Sequence, residues 1–178
     1  TGHLGELIDD LLDSSRLQSG NMRFDFQSLH IDAIIRDQVK RAEYTNPSQV
    51  IKLELEQQLP TVVGDPRRLA QVIDNLIENS KKYAPGSVIT IKVFQKEANL
   101  VIEFSDTGPG IPEKYLPNMF SRFFRVPELE KSVYGTGLGL SICKQIINNH
   151  NGEISVSSSQ GEGIKFTITL PLNHDVSL

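Results

Sequence analysis

Residues 66–83 read PRRLAQVIDNLIENSKKY, and this stretch predicts the helix around which the fold is organised. Asp65, directly before it, is a favourable N-cap, and Pro66 suits the first helical position because it has no N–H group to leave unbonded. Apolar residues at helical spacing predict one buried face: Leu69, Val72, Ile73, Leu76 and Ile77. A neighbouring side of the helix is left for polar residues.

That polar side carries Asn75, Asn79 and Lys82, spaced so that all three share one face. An asparagine carbonyl oxygen is a hard neutral ligand for Mg²⁺, and a lysine ammonium neutralises phosphate oxygens as a point charge. Tyr83 comes next, where its ring could lie near a base. The helix therefore suits a site for a cation and phosphates, although an ordinary solvated face explains it equally well.

A second cluster, DTGPGI at residues 106–111, comes directly after a predicted strand. Gly108 and Gly110 let a backbone approach a ligand closely. The carboxylate of Asp106 only accepts hydrogen bonds, so it can read the exocyclic amine of adenine. A simple Pro-Gly turn capped by Asp106 is the alternative interpretation.

A third cluster, GTGLGL at residues 135–140, opens a predicted helix over residues 138–149. Backbone N–H groups at a helix start form an anion site. The cluster is not a P-loop, because Leu140 stands where that motif has a lysine. It is not a Rossmann turn either, because a polar loop at residues 128–134 precedes it instead of a strand.

In this order, the three clusters and a last pair, Gly161-x-Gly163, resemble the N, G1, G2 and G3 boxes of the histidine-kinase and gyrase-type ATPase superfamily. The resemblance covers residues 22–172. FSRFFR at residues 120–125 resembles the F box of sensor kinases, and residues 7–17 resemble the end of their second stalk helix. The resemblance implies the ATP-binding catalytic domain of a two-component sensor histidine kinase, which uses ATP and Mg²⁺.

The resemblance also assigns roles to the first two clusters. Asn79 would hold Mg²⁺, Asn75 would assist one turn earlier, and Lys82 would contact phosphates. Tyr83 would flank the adenine. Asp106 would read the adenine amine in a pocket shaped by the two glycines of its cluster.

The rest of the implied site is a lid and a phosphate loop. Residues 111–136 would form a mobile lid over the nucleotide. Arg125 and, as a weaker candidate, Arg122 would meet the γ-phosphate when the lid closes; a salt bridge within the lid is the alternative for each. The hinge and phosphate-binding end would be formed by Gly135, Gly137 and Gly139. The expected nucleotide contacts are completed by Ile111, Thr136, Leu138 and Leu140.

The order of predicted elements gives the fold class. Helices are predicted over residues 4–19, 31–43, 66–83 and 138–149, and strands over residues 22–27, 50–56, 88–94, 100–105, 153–157 and 164–170. Strands with interspersed helices predict an α/β (α+β) sandwich of one sheet and one helical layer. The resemblance implies a mixed, largely antiparallel sheet on three helices, with a stalk remnant at residues 1–20 and the catalytic domain at residues 21–178.

The first predicted helix has an apolar stripe formed by Leu4, Leu7, Ile8, Leu11 and Leu12. A helix this short is marginal alone, so its stripe needs a partner. Packing on the rest of the domain is one interpretation. We favour a coiled-coil or bundle helix, because a polar turn at residues 18–21 separates this helix from the remainder of the chain.

The composition of the chain limits its partners and its location in the cell. With 18 basic and 22 acidic residues, the net charge of −4 argues against nucleic acid as a partner. Cys143 is the only cysteine, so it has no internal disulfide partner, which suits a reducing compartment. No apolar run approaches the roughly 18–20 residues that span a membrane. We expect a cytoplasmic domain of a bacterial sensor protein that is either membrane-anchored or soluble.

The acceptor histidine of the family, in a His-Glu-x-x-Arg-Thr-Pro type of motif, does not occur in the 178 residues. His3, His30, His150 and His174 are isolated, and we expect structural or surface roles for them. The expected partners are the protein's own stalk domain, a response-regulator receiver domain and a second copy in a homodimer.

Two rival functions remain. An ATP-hydrolysing clamp of the gyrase, MutL or Hsp90 kind is similar in fold but has a glutamate where this chain has Asn75. Glutamate can act as general base for water and a neutral amide cannot, so Asn75 favours the kinase. A non-catalytic nucleotide-binding module is the second rival, and the intact boxes argue against it.

Overall fold

The computed structural model describes residues 2–129 and 133–172. The helices are α1 Gly2–Gln18, α2 Ile31–Thr45, α3 Pro66–Tyr83 and α4 Gly139–Asn149, with a 3₁₀ helix at Glu113–Asn118. The strands are β1 Gln27–Leu29, β2 Val50–Leu55, β3 Val62–Gly64, β4 Val88–Lys96, β5 Asn99–Asp106, β6 Glu153–Ser158 and β7 Ile164–Pro171. None of the helices in these two ranges is both long and apolar enough to cross a bilayer.

A five-stranded sheet in the order β2-β4-β5-β7-β6 forms one layer. β2 runs parallel to β4, and the other neighbours are antiparallel. Ile89 and Ile91 of β4 are buried in one core with α2, α3 and α4. Lys92, the next residue in the pleat, points to the other face, where it pairs with Glu54 at 3.0 Å. The predicted sandwich of a mixed, largely antiparallel sheet on three helices is confirmed.

The amino-terminal strand differs from the prediction. Residues 22–26 are irregular, and β1 pairs antiparallel with β3, a strand that was not predicted. Phe24 and Phe26 lie against the ring of His150, with centroid distances of 5.7 and 5.0 Å. The N–H of Asp25 donates to the Asp65 carboxylate at 2.9 Å. The alternation of apolar residues therefore reflects the packing of the two phenylalanine rings on His150. The backbone between them bonds to the Asp65 side chain instead of to a neighbouring strand.

α1 packs on the domain through its polar side and leaves its apolar stripe exposed. Asp13 accepts hydrogen bonds from Arg68 at 3.0 Å and Gln71 at 2.8 Å, and Ser14 is buried. The exposed stripe residues are Leu4, Ile8, Leu11 and Leu12, between 47% and 66% exposed. These contacts agree with the interpretation that α1 packs on the domain, whereas the coiled-coil or bundle helix stays a prediction. α1 contacts the domain, and its stripe is still without cover, so a stalk at residues 1–20 stays a prediction.

Candidate functional site

A cleft lies between α3, the start of α4 and the connecting segment at residues 106–137. Every site residue predicted from the sequence lines this cleft except Gly108, Arg122 and Leu138. Leu138 is fully buried, and the Arg122 guanidinium lies over the Phe123 ring at 5.3 Å. The fold therefore brings thirteen of the sixteen predicted residues to one place, counted from the cleft lining.

α3 supplies one wall of the cleft. Its first turn is fixed by Asp65, whose carboxylate accepts from the N–H groups of Arg67 and Arg68 at 3.0 and 3.1 Å. On the cleft side, the Asn75 amide nitrogen donates to the Gly139 carbonyl at 3.4 Å and to the Cys143 sulfur at 3.6 Å. These bonds use the donor side of the amide, so its oxygen is the atom left for a ligand.

Asp106 forms the buried end of the cleft. One carboxylate oxygen accepts from the Gly108 N–H at 2.9 Å, and the other accepts from the Ser80 hydroxyl at 2.7 Å. Ser80 and Asp106 are 3% and 7% exposed, so the hydrogen bond between them is shielded from water. The carboxylate is therefore held in a fixed orientation as an acceptor, the role expected for reading an amine of a base.

Ser80 was not among the predicted residues. It continues the apolar stripe of α3, three residues after Ile77 and four after Leu76, and is buried like them. A hydroxyl on a buried stripe needs a hydrogen-bond partner. That single polar residue was the signal in the sequence, but the partner could not be named before β5 was placed beside α3.

The glycines of the second cluster serve packing between segments. A side chain at Gly108 would overlap Ala84, and one at Gly110, where φ is +69°, would overlap the Ser159 carbonyl. The Ile111 N–H donates to Ser158 at 2.8 Å. The close approach predicted at these glycines is therefore an approach of the chain to itself, and it fixes the segment that carries Asp106.

The third cluster leads into α4 at the opposite end of the cleft. The helix begins without a side-chain cap at Leu138. Thr136 accepts from the Leu138 N–H at 3.1 Å, and its own hydroxyl donates to Asp10 at 3.1 Å. Gly137, with φ of +71°, lies so close to the Phe123 backbone that a side chain would overlap it. An uncapped helix start is suited to an anion.

Asp10 is an unexpected member of the site. It belongs to α1, yet it lines the cleft beside Thr136 and Asn75. Burial raises the pKa of the Cys143 thiol to about 12, and the Asp10 charge adds to that rise. Cys143 is therefore an inert buried thiol, and a negative charge lies near the α4 end of the cleft.

The connecting segment contains the 3₁₀ helix and is held by hydrogen bonds between its own residues. The Tyr115 hydroxyl donates to Glu128 at 2.7 Å, and this bond is the main reason that the pKa of Glu128 lies below its ordinary value. The Arg125 guanidinium lines the cleft and donates to the Val133 carbonyl. Arg125 is therefore hydrogen-bonded to a backbone carbonyl within the segment, and its contact with a γ-phosphate stays a prediction.

Neither His30 nor His150 lines the cleft. His150 is buried: its Nε2 accepts from the Asp65 N–H at 2.9 Å, and its Nδ1 lies 2.7 Å from the Ile146 carbonyl. It is structural, as expected, whereas His30 is exposed. His174 and the side chain of His3 lie outside the described part of the chain. Within the described ranges, no group of three His, Cys, Asp or Glu residues could hold a metal.

Comparison with known proteins places the cleft in context. The family model described as histidine kinase-, DNA gyrase B-, and HSP90-like ATPase matches residues 64–174. Sensor protein KdpD of Clostridium acetobutylicum is 34% identical over 96% of this chain and 19% of its own length. Signal transduction histidine-protein kinase BaeS of Escherichia coli is 33% identical over 98% of this chain and 38% of its own length.

A solved structure of another histidine kinase has a similar fold. The histidine kinase AdeS of Acinetobacter baumannii superposes with a TM-score of 0.79 at 27% identity, covering 97% of this chain and 80% of that one. The chain spans less than two-fifths of the length of the two curated relatives.

Proposed function

The chain belongs to the family of histidine kinase-, DNA gyrase B-, and HSP90-like ATPases, and from this we propose that it is the ATP-binding catalytic domain of a two-component sensor histidine kinase. The domain transfers the γ-phosphoryl group of ATP to a histidine on a stalk domain, for relay to the receiver domain of a response regulator. The bond from the γ-phosphorus to the bridging oxygen breaks, ADP leaves, and a bond to an imidazole nitrogen forms.

One observation carries this proposal: the cleft has an acceptor for a base at one end and an uncapped helix start at the other. Asp106, held by Ser80 and Gly108, would bind the adenine amine. The loop before α4 would bind the phosphates through backbone N–H groups. Between these ends, α3 presents Asn75, Asn79 and Lys82 to the cleft.

The donor set on α3 fits Mg²⁺ bound together with a nucleotide. Asn79 would be the protein ligand and Asn75 would assist with its free amide oxygen, while phosphate oxygens and water complete the shell. The ion would neutralise charge on the transferring group. Lys82 would neutralise phosphate oxygens, and Arg125 would reach them only after releasing the Val133 carbonyl. The protein's part is positioning and electrostatic stabilisation.

Asn75 favours phosphoryl transfer to a protein over hydrolysis. Its amide cannot accept a proton from water, and its nitrogen is bonded to Gly139 and Cys143. The whole protein would be a homodimer whose catalytic domain lies in the cytoplasm. Its partners would be its own stalk domain and the receiver domain of a response regulator. Nucleic acid is not among its proposed partners.

Replacing Asn79 tests the proposal. We expect Asn79→Ala to lose Mg²⁺-dependent ATP binding in calorimetry while its thermal unfolding is unchanged, because the site loses its protein ligand for the ion. Asn148→Ala, at the exposed far end of α4, is the matched control and should bind as the unaltered chain does. Equal affinity in both variants would refute the metal assignment.

A further inference from the structure

Beside the cleft, three hydrogen-bond donors of the domain bind acidic residues of α1. Arg68 and Gln71 of α3 donate to Asp13 at 3.0 and 2.8 Å. Thr136 of the phosphate loop donates to Asp10 at 3.1 Å. We call these three donors the donor strip. It matches the acidic face of α1, whose carboxylates accept these three hydrogen bonds, while Leu17 near the end of the helix packs against the core.

The end of this contact overlaps the proposed nucleotide site. Asp10 and Thr136 both line the cleft, together with Asn75 and Gly139. The hydroxyl hydrogen of Thr136 is donated to Asp10, so it is not available to a phosphate oxygen while that bond exists. A carboxylate therefore takes a donor at the end of the cleft where a triphosphate would lie.

Two negative groups in one partly enclosed site repel each other. We infer that the donor strip is a docking surface for the acidic face of α1, and that docking of α1 and binding of ATP oppose each other. The inference rests on the proposed function, because it places the phosphates at the α4 end. By linkage, displacing α1 raises the affinity for ATP and binding of ATP loosens α1 by the same free energy.

The other role open to Asp10 is direct support of Mg²⁺, which would make it favour ATP. The observations favour opposition. The Thr136 hydroxyl already donates to Asp10 at the end of the cleft where the phosphates would lie, so the carboxylate competes with a phosphate oxygen for that donor. The two roles predict opposite changes when the charge is removed.

The test is calorimetric titration of the 178-residue chain with Mg²⁺-ATP and, separately, with adenosine. In Asp10→Asn the repulsion is lost, and we expect ATP affinity to rise about three- to thirtyfold. Adenosine has no phosphates, so its affinity should not change. Asp13→Asn weakens docking outside the cleft and should raise ATP affinity by a smaller factor. Asp9→Asn, which is exposed on α1, is the charge-matched control and should leave it unchanged.

Hydrogen exchange gives an independent readout of the same linkage. Saturating Mg²⁺-ATP should speed amide exchange in residues 7–17 of the unaltered chain, because a displaced α1 loses its docking contacts. Equal or lower ATP affinity in Asp10→Asn, or slower exchange of α1 with ATP, would overturn the inference. Failure of the unaltered chain to bind ATP would instead refute the proposed function, and the inference with it.

Discussion

At the scale of single residues, Ser80 decides how Asp106 is presented. Its hydroxyl is one of two donors to that buried carboxylate. We expect Ser80→Ala to lower ATP affinity about tenfold, because a hydrogen bond to a charged group contributes about 1.5–3 kcal/mol and the carboxylate becomes free to turn. Purine riboside triphosphate, which lacks the amine, should lose less. Calorimetry with both nucleotides measures this, and equal losses would show a general packing defect.

His150 is a buried residue that connects two helices through hydrogen bonds. It joins the start of α3, through the Asp65 N–H, to the last turn of α4, through the Ile146 carbonyl. His150→Phe keeps a ring but leaves the buried Asp65 N–H unbonded, at about 1–3 kcal/mol, whereas the Ile146 carbonyl still accepts from the backbone N–H of residue 150 at 3.2 Å.

We therefore expect the free energy of unfolding in urea to fall by about 1–3 kcal/mol in His150→Phe. His30→Phe, at an exposed position, should change it by less than about 0.5 kcal/mol. A His150→Phe protein as stable as the control would show that these two hydrogen bonds contribute little.

At the scale of elements, the segment between β5 and α4 is held by the pair Tyr115–Glu128. The hydrogen bond from Tyr115 lowers the pKa of Glu128 below its ordinary value of 4.5. A lowered pKa means that this contribution is present above the ordinary pKa and is lost as pH falls through the lowered value. The segment should therefore loosen on acidification.

Tyr115→Phe removes the donor, so the pKa of Glu128 should rise toward its ordinary value. NMR titration of the Glu128 carboxyl measures the change directly. Tyr44→Phe, at a tyrosine that is 89% exposed, should leave that titration unaltered. An identical Glu128 pKa in the unaltered chain and Tyr115→Phe would show that the bond does not form in solution.

Periodicity predicted the long elements and not the short ones. α3 and α4 carry apolar stripes over three or more turns, and β4 alternates between buried and less buried residues. β5 contains a buried apolar run at residues 100–102, so all four elements could be predicted from the sequence. β1 and β3 have three residues each, which is too short for a period to show. Phe24 and Phe26 alternate because of the His150 ring, a contact between residues far apart in sequence.

At the scale of the whole molecule, the site is assembled from segments that only the fold brings together. Asn75, Asn79 and Asp106 stood out in the sequence because their side chains have a chemistry suited to a nucleotide. Asp10 did not, since an aspartate on an amphipathic helix is usual, and its place in the cleft depends on how α1 packs on α4. Motif reasoning therefore found the ligand-facing groups and missed the one contributed by α1.

The central claim is that this chain is a phosphoryl donor domain that acts on a histidine of a separate stalk. The most direct test is incubation with γ-labelled Mg²⁺-ATP, alone and with a separately produced stalk bearing the acceptor histidine. Alone, the chain should bind ATP, hydrolyse it slowly and stay unlabelled. With the stalk, label should appear on the stalk in proportion to concentration, acid-labile and alkali-stable. Strong self-labelling on a histidine of this chain, rapid hydrolysis, or an unlabelled stalk would contradict the account.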